Sequence, residues 1–176
     1  MIFTETPLRG AFVIELEPRN DERGFFARAF CQNELAARGL KNVITQANTS
    51  YNFKKGTLRG MHYQVPPHAE VKMVRCITGA IYDVIVDIRK DSPTYLKWFG
   101  IELSAANRKT FYVPEGFAHG YQALTDDSEV LYLVTEFYTP NAERGVRWND
   151  PAFNITWPIA DPILSPKDLV HADFQR

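Results

Sequence analysis

Cysteine is scarce in this chain. Cys31 and Cys76 are its only two, too few and too far apart for a disulfide framework or a metal-ligand spacing. They read as structural thiols of a reducing cytoplasm. Long apolar runs are missing too, and no stretch approaches the roughly 20 residues needed to span a bilayer. The first residues, MIFTETPLRG, lack the basic start and apolar run of a signal peptide. There is no surplus of one charge: 20 Lys and Arg stand against 21 Asp and Glu, net −1. Nothing in that balance draws the chain to nucleic acid or to an acidic membrane, so any phosphate must be met by a local cluster of Arg and Lys. Repeats, low-complexity tracts and an internal linker are absent. A cytoplasmic protein of one domain, residues 1–176, is the expectation.

What is present is a core and many strands. The chain is 45% hydrophobic and 13% aromatic. Gly and Pro punctuate it at short intervals. Between them, Ala11–Leu16, Lys72–Ile77, Ala80–Ile88, Trp98–Leu103, Lys109–Val113 and Glu129–Phe137 are rich in β-branched and aromatic residues and read as strands. Only Gln32–Arg38, stopped by Gly39, reads as a helix, with a shorter turn capped by Ser165. Short strands with frequent turn signals imply an antiparallel sandwich or barrel. The last 25 or so residues, with Pro151, Pro158, Pro162 and Pro166, read as an irregular arm over that barrel.

Histidine is the next scarcity, with four in the chain. His62 sits in TLRGMHYQ and His119 in VPEGFAHGY. Both segments are apolar and carry Gly, which points each ring into a cavity. With Asp83, Asp87 and Lys72 on neighbouring strands, the barrel interior holds polar groups that are costly unless used. A cupin-like barrel follows, and cupins often hold a metal. Here Gln64 replaces the second histidine of a metal cupin, leaving a poor set of His62, Glu70 and His119. Acid–base chemistry without metal or cofactor is therefore expected. Proton abstraction beside a ketone needs a base near neutral pKa, an electrophile for the enolate oxygen and an acid on the other face. His62, Lys72 and Tyr132 suit those roles. The carboxylate that orients the base is left open by pattern alone.

The residues so far, with DERGFF (Asp21–Phe26), QANTS (Gln46–Ser50), GTLRGMHYQ (Gly56–Gln64), DVIVDIR (Asp83–Arg89), SPT (Ser92–Thr94), VPEGFAHG (Val113–Gly120), Tyr132, Tyr138–Pro140, WNDP (Trp148–Pro151) and SPKD (Ser165–Asp168), resemble the dTDP-4-dehydrorhamnose 3,5-epimerase family over nearly the whole chain. The resemblance implies a mainly β, cupin-type jelly roll, an antiparallel double sheet with few short helices. It implies a homodimer without metal or organic cofactor, acting on a nucleotide-linked 4-keto-6-deoxyhexose at carbons 3 and 5. His62 falls on the base, Asp168 on its paired acid, Tyr132 on the general acid and Lys72 near the ketone oxygen. Arg59 and His119 fall on sugar or pyrophosphate contacts, Tyr138 on an aromatic that stacks with the nucleotide base, and Gln46, Asn48, Glu143 and Lys167 on further contacts. Arg23 falls on a residue that reaches the neighbouring subunit's nucleotide.

The chain departs from the family pattern at Arg28, where Glu is usual. This reversed charge at a nucleotide contact leaves a CDP- or GDP-linked sugar open. Met61 and Tyr63 replace the usual Leu and Phe, a mild change of packing. Inversion of one carbon only, a metal-dependent cupin and a non-catalytic sugar-nucleotide binder are the other readings.

Overall fold

The computed structural model describes residues 1–175. Its strands are β1 (Ile2–Glu5), β2 (Phe12–Glu15), β3 (Arg19–Asp21), β4 (Gly24–Phe26), β5 (Gln46–Asn52), β6 (Leu58–Gln64), β7 (Lys72–Thr78), β8 (Ala80–Asp87), β9 (Trp98–Ser104), β10 (Thr110–Val113), β11 (Phe117–Ala123), β12 (Ser128–Val134) and β13 (Glu143–Gly145). The helices are α1 (Gln32–Ala36) and α2 (Pro166–Leu169). One sheet runs β1-β2-β10-β7-β12-β5 and the other β13-β6-β11-β8-β9, while β3 and β4 form a separate hairpin. All pairings between these strands are antiparallel. Two facing antiparallel sheets with consecutive strands shared between them form a cupin-type jelly roll.

The six strands expected from pattern are all present, with ends moved by a residue or two except the last. The strand expected over Glu129–Phe137 ends at Val134, and α1 ends at Ala36 rather than Arg38. β5 and β6 escape a pattern search because their residues do not alternate. QANTSYN is almost wholly polar, and LRGMHYQ mixes apolar residues with Arg and His.

Val74, Cys76, Ile81, Ile85, Phe111, Phe117 and Val130 are buried together and fill the space between the sheets. The outer face of the first sheet packs Met73 and Tyr112 against Leu35 of α1. The outer face of the second packs Met61, Val84, Val86 and Ala118 against Val146 and Phe153. β8 is thus covered on both faces, which is why apolar residues occupy both of them, Ile81 and Ile85 on one and Val84 and Val86 on the other. Cys76 is buried, and burial pushes its thiol up to about 11; Cys31 is half-buried, and both are free.

Asp87, expected on the barrel interior, does other work. Its carboxylate accepts from Arg89 Nε (2.9 Å), Arg89 Nη2 (2.7 Å) and Thr94 Oγ1 (2.6 Å) and so ties down the turn after β8. Burial opposes ionisation of Asp87, but the hydrogen bonds from Arg89, Ser92 and Thr94 outweigh it and hold the carboxyl below its ordinary range. A carboxyl lowered on folding contributes stability above its unfolded value of about 3.9, and that contribution is lost as pH falls through the folded value. The melting temperature of the wild type should therefore fall more steeply below about pH 4 than that of Asp87→Asn. Circular dichroism melts check this, and parallel slopes would remove Asp87 from the acid response.

Candidate active site

The site lies where β6, β11, β7 and β12 present polar side chains to the space between the sheets. His62 of β6 stands opposite His119 of β11. Tyr132 of β12 is paired with Val74, two residues along from Lys72 on the same face of β7. The pairing of β6 with β11 shifts register between His119 and Tyr121. Around this irregularity Gly60 and Gly120 come so close that a Cβ on Gly60 would lie 2.6 Å from Gly120 Cα. A bulge of this kind re-aims neighbouring side chains, here those of Arg59, His62 and His119. The result is a cavity of about 320 Å³ lined by Arg59, His62, Lys72, His119, Tyr121, Tyr132, Ser165, Lys167 and Asp168.

His62 Nε2 lies 2.6 Å from Asp168 Oδ1. Asp168 comes from the C-terminal arm, where Ser165 caps α2. Ser165 Oγ accepts from the Asp168 amide at 3.1 Å and donates to Asp168 Oδ2 at 2.9 Å. Burial opposes ionisation of Asp168, but the hydrogen bond and charge of His62 and the Ser165 hydroxyl overcome it and lower the carboxyl's pKa. Since an ionised carboxylate only accepts, His62 Nε2 is the donor, and the lone pair of the neutral ring is on Nδ1. Asp168 Oδ1 also faces His171 Nε2 at 3.6 Å.

The opposite wall is equally ordered. His119 Nε2 lies in hydrogen-bond contact with Asp83, 3.0 Å from each carboxylate oxygen. Burial pushes the Asp83 carboxyl above its ordinary range, while the charges of His119 and Lys72 and the His119 hydrogen bond oppose it. Lys72 is ion-paired with Glu70. Burial raises the Tyr132 phenol well above its ordinary value, so it is a protonated acid at neutral pH. Its hydroxyl begins a directed chain. Arg59 Nε donates to Asn52 Oδ1 (2.9 Å), which identifies that atom as the amide oxygen, so Tyr121 must donate to it (3.0 Å). Ser50 then donates to Tyr121 (2.8 Å) and Tyr132 donates to Ser50 (3.2 Å).

The groups that a metal-cupin reading would enlist are engaged elsewhere: His62 with Asp168, His119 with Asp83 and Glu70 with Lys72. Gln64, at the missing ligand position, clamps the loop after β12. It donates to the carbonyls of His68 (3.0 Å) and Phe137 (3.2 Å) and accepts from the Thr139 amide (2.7 Å). That loop carries Tyr138, whose amide donates to Gln46 Oε1 (2.7 Å) and whose hydroxyl donates to Glu143 (2.8 Å). Lys167 Nζ donates to the other oxygen of Glu143 at 2.6 Å. Asn48 is exposed on β5, opposite Tyr132 in register.

Arg23 and Arg28 do not line the cavity of their own chain. Arg23 sits at the exposed β3–β4 turn, paired with Asp21 at 2.7 Å. Arg28 pairs with Glu34 at 3.0 Å. Sequence reasoning missed Tyr121, Ser50 and Asn52. Ser50 and Tyr121 lie within quoted motifs but carry no sign of this role, and their contacts come from the pairing of β5 with β12 and the facing of the two sheets. It named Ser165 as a cap without its second bond to Asp168, although the three-residue spacing was legible.

The family model for dTDP-4-dehydrorhamnose 3,5-epimerase matches residues 5–176. A dTDP-4-dehydrorhamnose 3,5-epimerase of Shigella flexneri is 46% identical over 180 residues, covering 99% of this chain and 98% of its own. Among solved structures, the Bacillus anthracis dTDP-4-dehydrorhamnose 3,5-epimerase with TDP and PPi bound superposes with a TM-score of 0.94 at 42% identity, covering 98% of this chain and 99% of that one. A Legionella pneumophila dTDP-6-deoxy-D-glucose-3,5-epimerase in complex with dTDP-4-keto-L-rhamnose has a TM-score of 0.90 at 36% identity, covering 98% and 92%. On this match over nearly its whole length, the chain belongs to the dTDP-4-dehydrorhamnose 3,5-epimerase family of isomerases.

Proposed function

We propose that this chain converts dTDP-4-dehydro-6-deoxy-D-glucose to dTDP-4-dehydro-L-rhamnose by inverting carbons 3 and 5. The observation that carries this reading is a His62–Asp168 pair at 2.6 Å sharing one cavity with Lys72 and Tyr132. The 4-ketone acidifies the protons on both neighbouring carbons. His62 Nδ1 removes one, and Asp168 holds the ring and stabilises its charged form. Lys72 faces the oxygen on which enolate charge develops. Tyr132 returns a proton from the other side, its high pKa keeping that proton available until the carbanion forms.

Arg59, Lys72 and Lys167 give the cavity cationic walls suited to a diphosphate. Arg59 and His119 contact the sugar or pyrophosphate, Tyr138 stacks on the base, and Gln46, Asn48, Glu143 and Lys167 complete the substrate contacts. Arg23 and Arg28 serve a second copy's site in a homodimer. Support for this comes from the β3–β4 hairpin, whose residues are all exposed, Phe26 at 74%. An aromatic so exposed suits burial by a partner subunit. Among the described residues no helix is long and apolar enough to cross a membrane.

Incubation with dTDP-4-keto-6-deoxyglucose in deuterated water tests the reading. Deuterium should enter at both carbon 3 and carbon 5, followed by NMR. Label at a single carbon would make this a mono-epimerase, and label at neither would reject the substrate.

A further inference from the structure

His171 lies behind the His62–Asp168 pair. Its ring rests on Gly145, the residue paired with His62 across β13 and β6, and a Cβ at Gly145 would collide with the ring. It stands edge-on to the His62 ring, with centroids 5.6 Å apart at 76°. His171 Nε2 is buried and has no hydrogen-bond partner among the described residues. Asp168 Oδ1, at 3.6 Å, is beyond hydrogen-bond reach.

One donor atom each from His62, Asp168 and His171 lies within 4.8 Å of the others. Tetrahedral zinc takes N and O donors at about 2.0–2.2 Å, which separates adjacent donors by about 3.3–3.5 Å. The His171–Asp168 separation of 3.6 Å is already close to that. The His62–Asp168 contact of 2.6 Å would open by less than about 1 Å. Two imidazoles and one carboxylate suit zinc-class cations and leave a fourth position for water. Magnesium and calcium prefer all-oxygen sites.

We propose that His62, Asp168 and His171 bind a divalent transition cation of the zinc class and that occupancy switches the enzyme off. The cation bonds His62 Nε2 and Asp168 Oδ1 in place of the hydrogen bond between them. The ring proton moves from Nε2 to Nδ1, with no net proton release from the neutral pair. Nδ1 is the atom that the base needs free, so the occupied site cannot abstract a substrate proton. The inhibition rests on the proposed base–carboxylate pair, whereas the binding does not.

The test starts from chelator-treated protein. Calorimetry with zinc chloride should show one site per chain, and saturating zinc should abolish deuterium incorporation until EDTA restores it. Magnesium should do neither. His171→Ala should keep its activity in EDTA and lose zinc affinity by roughly 100-fold or more, beyond the cost of an outer-shell change. Equal zinc affinity of wild type and variant, or no binding to the wild type, overturns the site. Stoichiometric binding with undiminished activity overturns the switch. Should His171→Ala not fold, cobalt binding to the wild type decides: visible d–d absorption of a low-coordinate site, displaced by zinc, is expected, and its absence rejects the proposal.

Discussion

His62→Ala should lower the exchange of substrate protons at carbons 3 and 5 by about 10²–10⁴-fold, the usual cost of a positioned acid or base, while binding of the nucleotide part stays within a few-fold. The asymmetry follows from the site's layout. Arg59, Lys167 and Tyr138 do not depend on the imidazole for their own bonds: Arg59 is held by Asn52 and Tyr51, Lys167 and Tyr138 by Glu143. Asp168 keeps its two contacts with Ser165, so the arm that closes the cavity remains anchored. What disappears is the lone pair on Nδ1. NMR of deuterium incorporation and calorimetry with dTDP measure the two effects separately. Exchange at the wild-type rate would show that another group is the base, and a collapse of dTDP binding would show that His62 holds the site together instead.

Gly60→Ala should destabilise the fold by about 2–4 kcal/mol, adding the strain of a side chain at positive φ to local overpacking. Gly60 has φ +132°, and its Cβ would meet Gly120 Cα at 2.6 Å and the His119 carbonyl oxygen at 3.0 Å. Both are backbone atoms of the neighbouring strand and cannot swing aside. For a domain of this length the expected fall in melting temperature is roughly 4–16 °C. Activity should fall as well, because Arg59 and His62 flank the same close approach. Gly24→Ala is the control. Gly24 has φ +131° but nothing within 4 Å of its would-be Cβ, so it carries the backbone strain without the clash. Its loss should be only about 1–2 kcal/mol. Equal losses in the two variants would show that the close approach of β6 and β11 carries no energetic weight.

The sequence by itself determined the class of fold and the chemistry of the site. Runs such as AIYDVIVDI read as strands from their β-branched residues, and such runs between frequent Gly and Pro point to an antiparallel double sheet. Four histidines, two of them on apolar glycine-bearing segments, marked the cavity. The motif series, GTLRGMHYQ and SPKD above all, named His62 and Asp168 together. Pattern alone left the carboxylate open, since residues 106 positions apart carry no local signal of contact.

Only the tertiary structure decided which polar groups meet. Asp83 and Asp87 lie four residues apart on one strand, yet Asp83 takes His119 and Asp87 takes Arg89. The division is set by the register of β8 against β11 and by the turn that follows β8. The register of β5 against β12 sets Ser50 and Asn52 near Tyr132, the facing of the sheets adds Tyr121 of β11, and the course of the C-terminal arm brings His171 to Asp168. Side-chain period and composition report on one strand at a time. A site assembled from β6, β7, β11, β12 and a distant arm exists only once their registers are locked by the packing of the core between the sheets.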